Sequence, residues 1–132
     1  DNVFQRSLRI GSTFGGNLVD MVRCKRILEI IESERLVDAA KKQGAYMLDK
    51  LQDLQSHFSD TISNVRGKGL LCAFDLPDPE FRKRFAEKCV RARVLVVGCG
   101  PTSIRFRPHL NISTTEIDHG IKVIADVLAD MI

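Results

Sequence analysis

Two short stretches carry residue types that bind anions. The first, Gly11-Ser12-Thr13-Phe14-Gly15-Gly16-Asn17, runs directly into a helical pattern. Hydroxyls, a side-chain amide and glycine backbone free of Cβ atoms, set just ahead of a helix N-terminus, suit an anion, a phosphate above all. The plainer account, favoured on spacing alone, is a glycine turn in which Asn17 caps the helix. No Gly-x-x-x-x-Gly-Lys-Ser/Thr occurs, which excludes a nucleotide P-loop. The second stretch is Ile104-Arg105-Phe106-Arg107-Pro108. On a strand, residues two apart share a face, so both guanidiniums project together while Ile104 and Phe106 turn toward a core. A planar guanidinium grips a carboxylate through two parallel hydrogen bonds, which gives orientation as well as affinity. A pair of salt-bridged surface arginines would look the same in sequence, and spacing does not choose between them.

The remaining reactive side chains point to less. Cys99 lies between glycines and just before Pro101, so a turn is expected there rather than a nucleophile. His109 stands alone, which favours a structural role over a general base. Cys24, Cys72, Cys89 and Cys99 form no Cys-x-x-Cys pair, and His57, His109 and His119 have no metal-ligand spacing. We expect no metal site, and free thiols in an intracellular, reducing compartment, the cytoplasm in preference to the mitochondrion.

The elements that hold these residues follow from periodicity. Leu18, Met21, Val22, Ile27, Leu28 and Ile31 have helical spacing, and Ser33 is placed to stop that helix and cap the next. A long helix is expected from Glu34 to His57, with Gly44 inside it permitting close packing at a cost of roughly 1 kcal/mol relative to alanine. Ile62–Val65 reads as extended, Arg66-Gly67-Lys68-Gly69 as a turn, and Leu70–Leu76 as a strand apolar on both faces and therefore covered. Pro77-Asp78-Pro79 starts a helix bearing Phe81, Phe85 and Cys89. Val94–Val97 and Ile104–Arg107 read as two further strands. Ser113-Thr114-Thr115-Glu116 is a capping box opening a last helix. The expected fold class is α/β (α+β): a small sheet with helices packed on it, preceded by further helices.

The 132 residues are 44% hydrophobic and 28% charged, with a net charge of +3. That composition argues against disorder, and the near-balanced charge against a nucleic-acid partner. No apolar run approaches the roughly 20 residues that span a bilayer, so no membrane partner is expected. Asp1–Arg6 carries no turn, cap or period, and reads as a chain entered midway. The expectation is a C-terminal fragment of a longer protein.

Three of these segments, in this order, resemble the class III aminotransferases, pyridoxal-phosphate enzymes of fold type I. Gly11–Asn17 resembles the family's phosphate cup, Arg66-Gly67-Lys68-Gly69-Leu70 the Arg-Gly-x-Gly-Leu turn that begins its small domain, and Ile104–Pro108 its carboxylate-binding strand. Phe14 departs from a usual tryptophan and His109 from a usual proline. The resemblance implies residues 1–33 at the end of a large cofactor-binding domain, 34–60 as a connecting helix and 61–132 as the C-terminal small domain. It implies that Ser12 and Thr13 bind the phosphate of pyridoxal 5'-phosphate held by the neighbouring subunit of a homodimer, and that Arg105 binds the substrate carboxylate, with Arg107 in support. The implied reaction moves the terminal amino group of an amino acid such as L-lysine to 2-oxoglutarate. Branches acting on 4-aminobutyrate, ornithine or acetylornithine are the alternatives, as is a non-catalytic dimerisation or ligand-binding remnant. The family's Schiff-base lysine falls upstream of Asp1, so no catalytic residue is expected within the chain, and the chain alone is not expected to transaminate.

Overall fold

The computed structural model describes residues 11–132, so Asp1–Arg6 lies outside the described residues. The chain divides into two compact units, Asp1–Arg35 and Leu36–Ile132. In the first unit, a turn over residues 13–16 leads to Asn17 and helix α1, Leu18–Ser33. The Asn17 side chain accepts from Val19 N–H at 3.0 Å and Asp20 N–H at 3.3 Å, satisfying donors that every helix start leaves open. Ser33 does not cap the next helix. Its hydroxyl bonds back to the Ile30 carbonyl, and Arg35, at φ 52°, makes the break.

The second unit contains α2 (Leu36–His57), β1 (Ser63–Lys68), β2 (Leu71–Asp75), α3 (Pro79–Arg91), β3 (Val97–Cys99), β4 (Ser103–Phe106) and α4 (Thr114–Ala129). The strands form one antiparallel sheet in the order β1-β2-β4-β3. Helices α2 and α3 pack on the face that carries Cys72, Phe74 and Ile104, and α4 packs on α2 and α3, adding its buried stripe to the same core. Phe74 is central there, with the Phe85 ring edge-on at 6.1 Å and Phe106 at 5.5 Å. The buried stripe of α2 is Gly44, Met47, Leu51 and Leu54, and that of α4 is Ile117, Ile124, Val127 and Leu128. Asp78 caps α3 with Pro79 in its first turn, and Ser113 with Glu116 forms the expected capping box on α4.

Gly44 is indispensable to this packing. A Cβ there would lie 2.2 Å from the carbonyl carbon and oxygen of Gly69, in the tight turn joining β1 to β2. Gly69 itself adopts φ +56°, the left-handed value that a two-residue hairpin loop requires.

Three expectations need correction. Arg66-Gly67-Lys68 is strand rather than turn, because the reversal is made by Gly69 and Leu70 alone. The third strand begins at Val97, not Val94: Arg93 at φ 65° turns the chain and the Val94 N–H closes on the Cys89 carbonyl at 2.8 Å. Val96 is thereby buried in the core without joining a ladder. Finally, β2 is covered on one face of this unit only, and Leu71 remains 51% exposed. Antiparallel hairpins need burial on just one side, which the helices supply.

Candidate active site

The face of the sheet opposite the helices carries the polar residues. Register places Arg66, Ala73, Arg105 and Val97 in one row across β1, β2, β4 and β3. Ser63, Asp75, Ser103 and Cys99 form the next row. Arg105 is half-buried on an interior strand, paired on both sides, and no side chain among the described residues ion-pairs with it. Its Nε is fully buried and has no hydrogen-bond acceptor. A buried guanidinium N–H without an acceptor is costly unless a ligand supplies one. Arg107 follows directly after β4 and is exposed. Both arginines also border a mainly apolar cavity of about 500 Å³ that opens on the helix side of the sheet, between the end of β4 and α4, where Val97, Phe106, His109 and Ile121 line it. An apolar wall around a few cationic donors strengthens the attraction for a carboxylate by keeping water away.

His109 is held rather than free. Its Nδ1 meets Asn111 Oδ1 at 2.9 Å and its Nε2 lies 3.7 Å from Glu116 Oε1. The other oxygen of Glu116 accepts from the Ser113 hydroxyl and N–H, which, with His109, hold its carboxyl below the usual carboxylate range. The segment after Arg107 is thus tied to the start of α4, in keeping with a structural histidine.

Sequence reasoning missed a polar network beside Arg105. Arg66 donates from Nη1 to Asp75 at 3.0 Å and from Nη2 to the Ser103 hydroxyl at 3.1 Å. Asn64 donates to Asp75 at 2.7 Å, and Ser103 donates to it as well. Asn64 lies in the bulge where the β1–β2 register shifts between Ser63 and Arg66, at φ 54°. The alternation of Asp75 and Ser103 with buried Phe74 and Ile104 was the available signal. Ser103, foremost, with Asn64 and Arg66, lowers the Asp75 carboxyl pKa, while burial opposes them. A folded-state pKa below the unfolded one contributes stability that is present in full above the unfolded value and lost as pH falls through the folded one. Asp75→Asn should therefore flatten the decline in Tm as pH falls below about 4, the ordinary aspartate value. A decline as steep as in the parent protein would refute that contribution.

In the first unit, Ser12 and Thr13 are both exposed beside the N-terminus of α1. The Ser12 hydroxyl accepts from the Phe14 N–H at 3.1 Å, and no partner among the described residues meets the Thr13 hydroxyl. Gly16, at φ +79°, has no atom within 4 Å of where a Cβ would stand, so its backbone is open to an approaching group. Asn17 does cap the helix, as the plainer account required, yet the hydroxyls and open backbone still fit the phosphate end of pyridoxal phosphate.

The cysteines divide evenly. Cys72 and Cys89 are buried, with burial pushing the Cys89 thiol up to about 11, and Cys24 and Cys99 are exposed. Cys99 ends β3 at the turn into β4. The described residues hold no group of three or more His, Cys, Asp or Glu side chains able to bind a metal, and no helix long and apolar enough to cross a membrane.

Comparison with known proteins identifies the family. The L-lysine-epsilon aminotransferase of Amycolatopsis lactamdurans is 43% identical over 97% of this chain, which spans 29% of that protein. The mitochondrial 4-aminobutyrate aminotransferase of Sus scrofa is 34% identical over 92% of the chain and 24% of its own length. A lysine aminotransferase structure from M. tuberculosis superposes with a TM-score of 0.90 at 41% identity, covering all of this chain and 30% of that one. The chain thus spans about three-tenths of the length of the lysine aminotransferases it matches. The "Aminotransferase class-III" profile matches residues 2–128, nearly end to end, and the chain belongs to the class-III aminotransferases.

Proposed function

We propose that this chain is part of an aminotransferase that moves the terminal amino group of L-lysine, or a similar amino acid, to 2-oxoglutarate. The carrying observation is Arg105: a half-buried guanidinium on an interior strand, without a side-chain partner, at an apolar cavity. It is the receptor for the carboxylate that donor and acceptor share. Arg107, exposed at the same cavity, supports it. Ser12 and Thr13 hold the phosphate of the cofactor bound by the neighbouring subunit of a homodimer. When bound, pyridoxal phosphate supplies the electron sink that amino-group exchange needs. The amine that anchors it belongs to the rest of the enzyme, so residues 1–132 alone do not transaminate.

The test begins with the protein as its source makes it, assayed with 2-oxoglutarate and L-lysine, ornithine, acetylornithine or 4-aminobutyrate while glutamate is followed. L-Lysine should give the highest kcat/KM. Another donor ranking first would move the protein to a different branch. No glutamate from any donor would leave a dimerisation or ligand-binding remnant as the better account. For the cofactor, Thr13→Ala removes a hydroxyl from a dianionic partner, a loss of about 1.5–3 kcal/mol, or roughly tenfold and more in affinity. Spectrophotometric titration of the apoenzyme with pyridoxal phosphate reads this directly, and unchanged affinity would remove Thr13 from the site.

A further inference from the structure

The arginine row across the open face of the sheet contains two guanidiniums with opposite fates. Arg66 and Arg105 flank Ala73 in register, two strand spacings or about 10 Å apart at the backbone. Ala73 is too small to separate them. Arg66 is fully committed: to the Asn64 carbonyl at 2.8 Å, to Asp75 at 3.0 Å and to Ser103 at 3.1 Å. Arg105 has no such partner, and its Nε lacks an acceptor altogether.

Arg66 therefore staples three strands. It starts on β1, ion-pairs on β2 and ends on Ser103 of β4, two residues before Arg105 and on the same face. The staple matters because β4 spans only Ser103–Phe106, and its outer neighbour β3 only Val97–Cys99. So few ladder hydrogen bonds leave the twist of β4 under-determined, and a side-chain tie at its start fixes where Arg105 points. Asp75 adds a second effect. By neutralising Arg66, it removes a neighbouring cation that would compete for the same carboxylate.

We propose that Arg66, Asp75 and Ser103 are positioning residues that aim Arg105 at the substrate carboxylate and keep Arg66 from competing for it. The proposal rests on the reading of Arg105 given above, and the test separates the two. In the complete aminotransferase, Ser103→Ala should raise KM for 2-oxoglutarate and for the amino donor about three- to tenfold, with kcat within twofold. Ser103→Thr, which keeps the hydroxyl, should restore KM to within twofold of the parent. Asp75→Asn should raise KM further, since it also frees Arg66. Crystal structures of the alanine and asparagine variants supply a readout independent of activity: the Arg105 guanidinium should be displaced or disordered. An Arg105 guanidinium unmoved in both variants overturns the proposal, whether or not Tm falls. A displaced guanidinium with KM unchanged sustains the aiming of Arg105 and overturns instead its role as carboxylate receptor. Ser103→Ala removes one half-buried oxygen, so it reports even if Asp75→Asn does not fold.

Discussion

Arg105→Ala in the complete enzyme should lower kcat/KM for donor and acceptor alike by roughly ten- to 150-fold, the equivalent of about 1.5–3 kcal/mol. On the function proposed above, both half-reactions are affected because each substrate presents a carboxylate to the same guanidinium. Arg107→Ala should cost several-fold less. Arg107 lies beyond the last ladder pair of β4 and is exposed, so water competes for its donors. Steady-state kinetics of both variants decide the matter. Equal losses, or a larger one at Arg107, would overturn the assignment, whereas a loss confined to one substrate would mean that the two carboxylates bind apart.

Gly44→Ala should destabilise the protein, the opposite of what an exposed helix glycine does. Alanine gains about 1 kcal/mol in helix propensity, but its methyl would stand 2.2 Å from the Gly69 carbonyl group. The obstacle is backbone in a tight turn, which cannot rotate aside as a side chain would. Forcing α2 away from the β1–β2 hairpin costs about 1–3 kcal/mol net, and each kcal/mol lowers Tm by about 4–8 °C in a domain of this size. Thermal unfolding of the variant tests this, and a raised Tm would show that the contact is not binding. Gly98 makes a useful comparison. A Cβ there meets the Arg82 guanidinium at 2.1 Å, the far end of a flexible side chain, so Gly98→Ala should be tolerated better.

Local chemistry was the part of the fold that sequence made legible. The capping box at Ser113, the Asp78-Pro79 start, the capping Asn17 and the close approach at Gly44 depend on near neighbours or on one missing Cβ. Arg105 was legible for the same reason, since alternation along a short strand says which residues share a face. What escaped depends on pairing. Arg66-Gly67-Lys68-Gly69 looks like a glycine turn until Gly67 is seen opposite Cys72. Val94-Leu95-Val96 has every strand preference, but a strand needs a partner, and these residues lie ahead of Val97–Cys99, the segment paired with the outer side of β4. The Arg66–Asp75–Ser103 network joins β1, β2 and β4, so it depends on their order and register, which no period reveals.

The strand order also dictates when the proposed carboxylate receptor can come into being as the chain folds. β1 with β2, and β3 with β4, are hairpins whose ends meet over a few residues. Joining β2 to β4 must instead close the whole stretch of residues 76–102, with α3 inside it. Closing a longer loop costs more chain entropy and waits on more of the core, so the hairpins are the early species and their merger the late one. Arg105 lies on the seam of that merger, in register with Ala73 of β2 on one side and Val97 of β3 on the other. A molecule that has formed both hairpins yet failed to join them would hold its arginine on an unpaired edge, where amide protons exchange freely. The slowest-exchanging amides of β4 therefore report the fraction of molecules in which the carboxylate receptor exists at all.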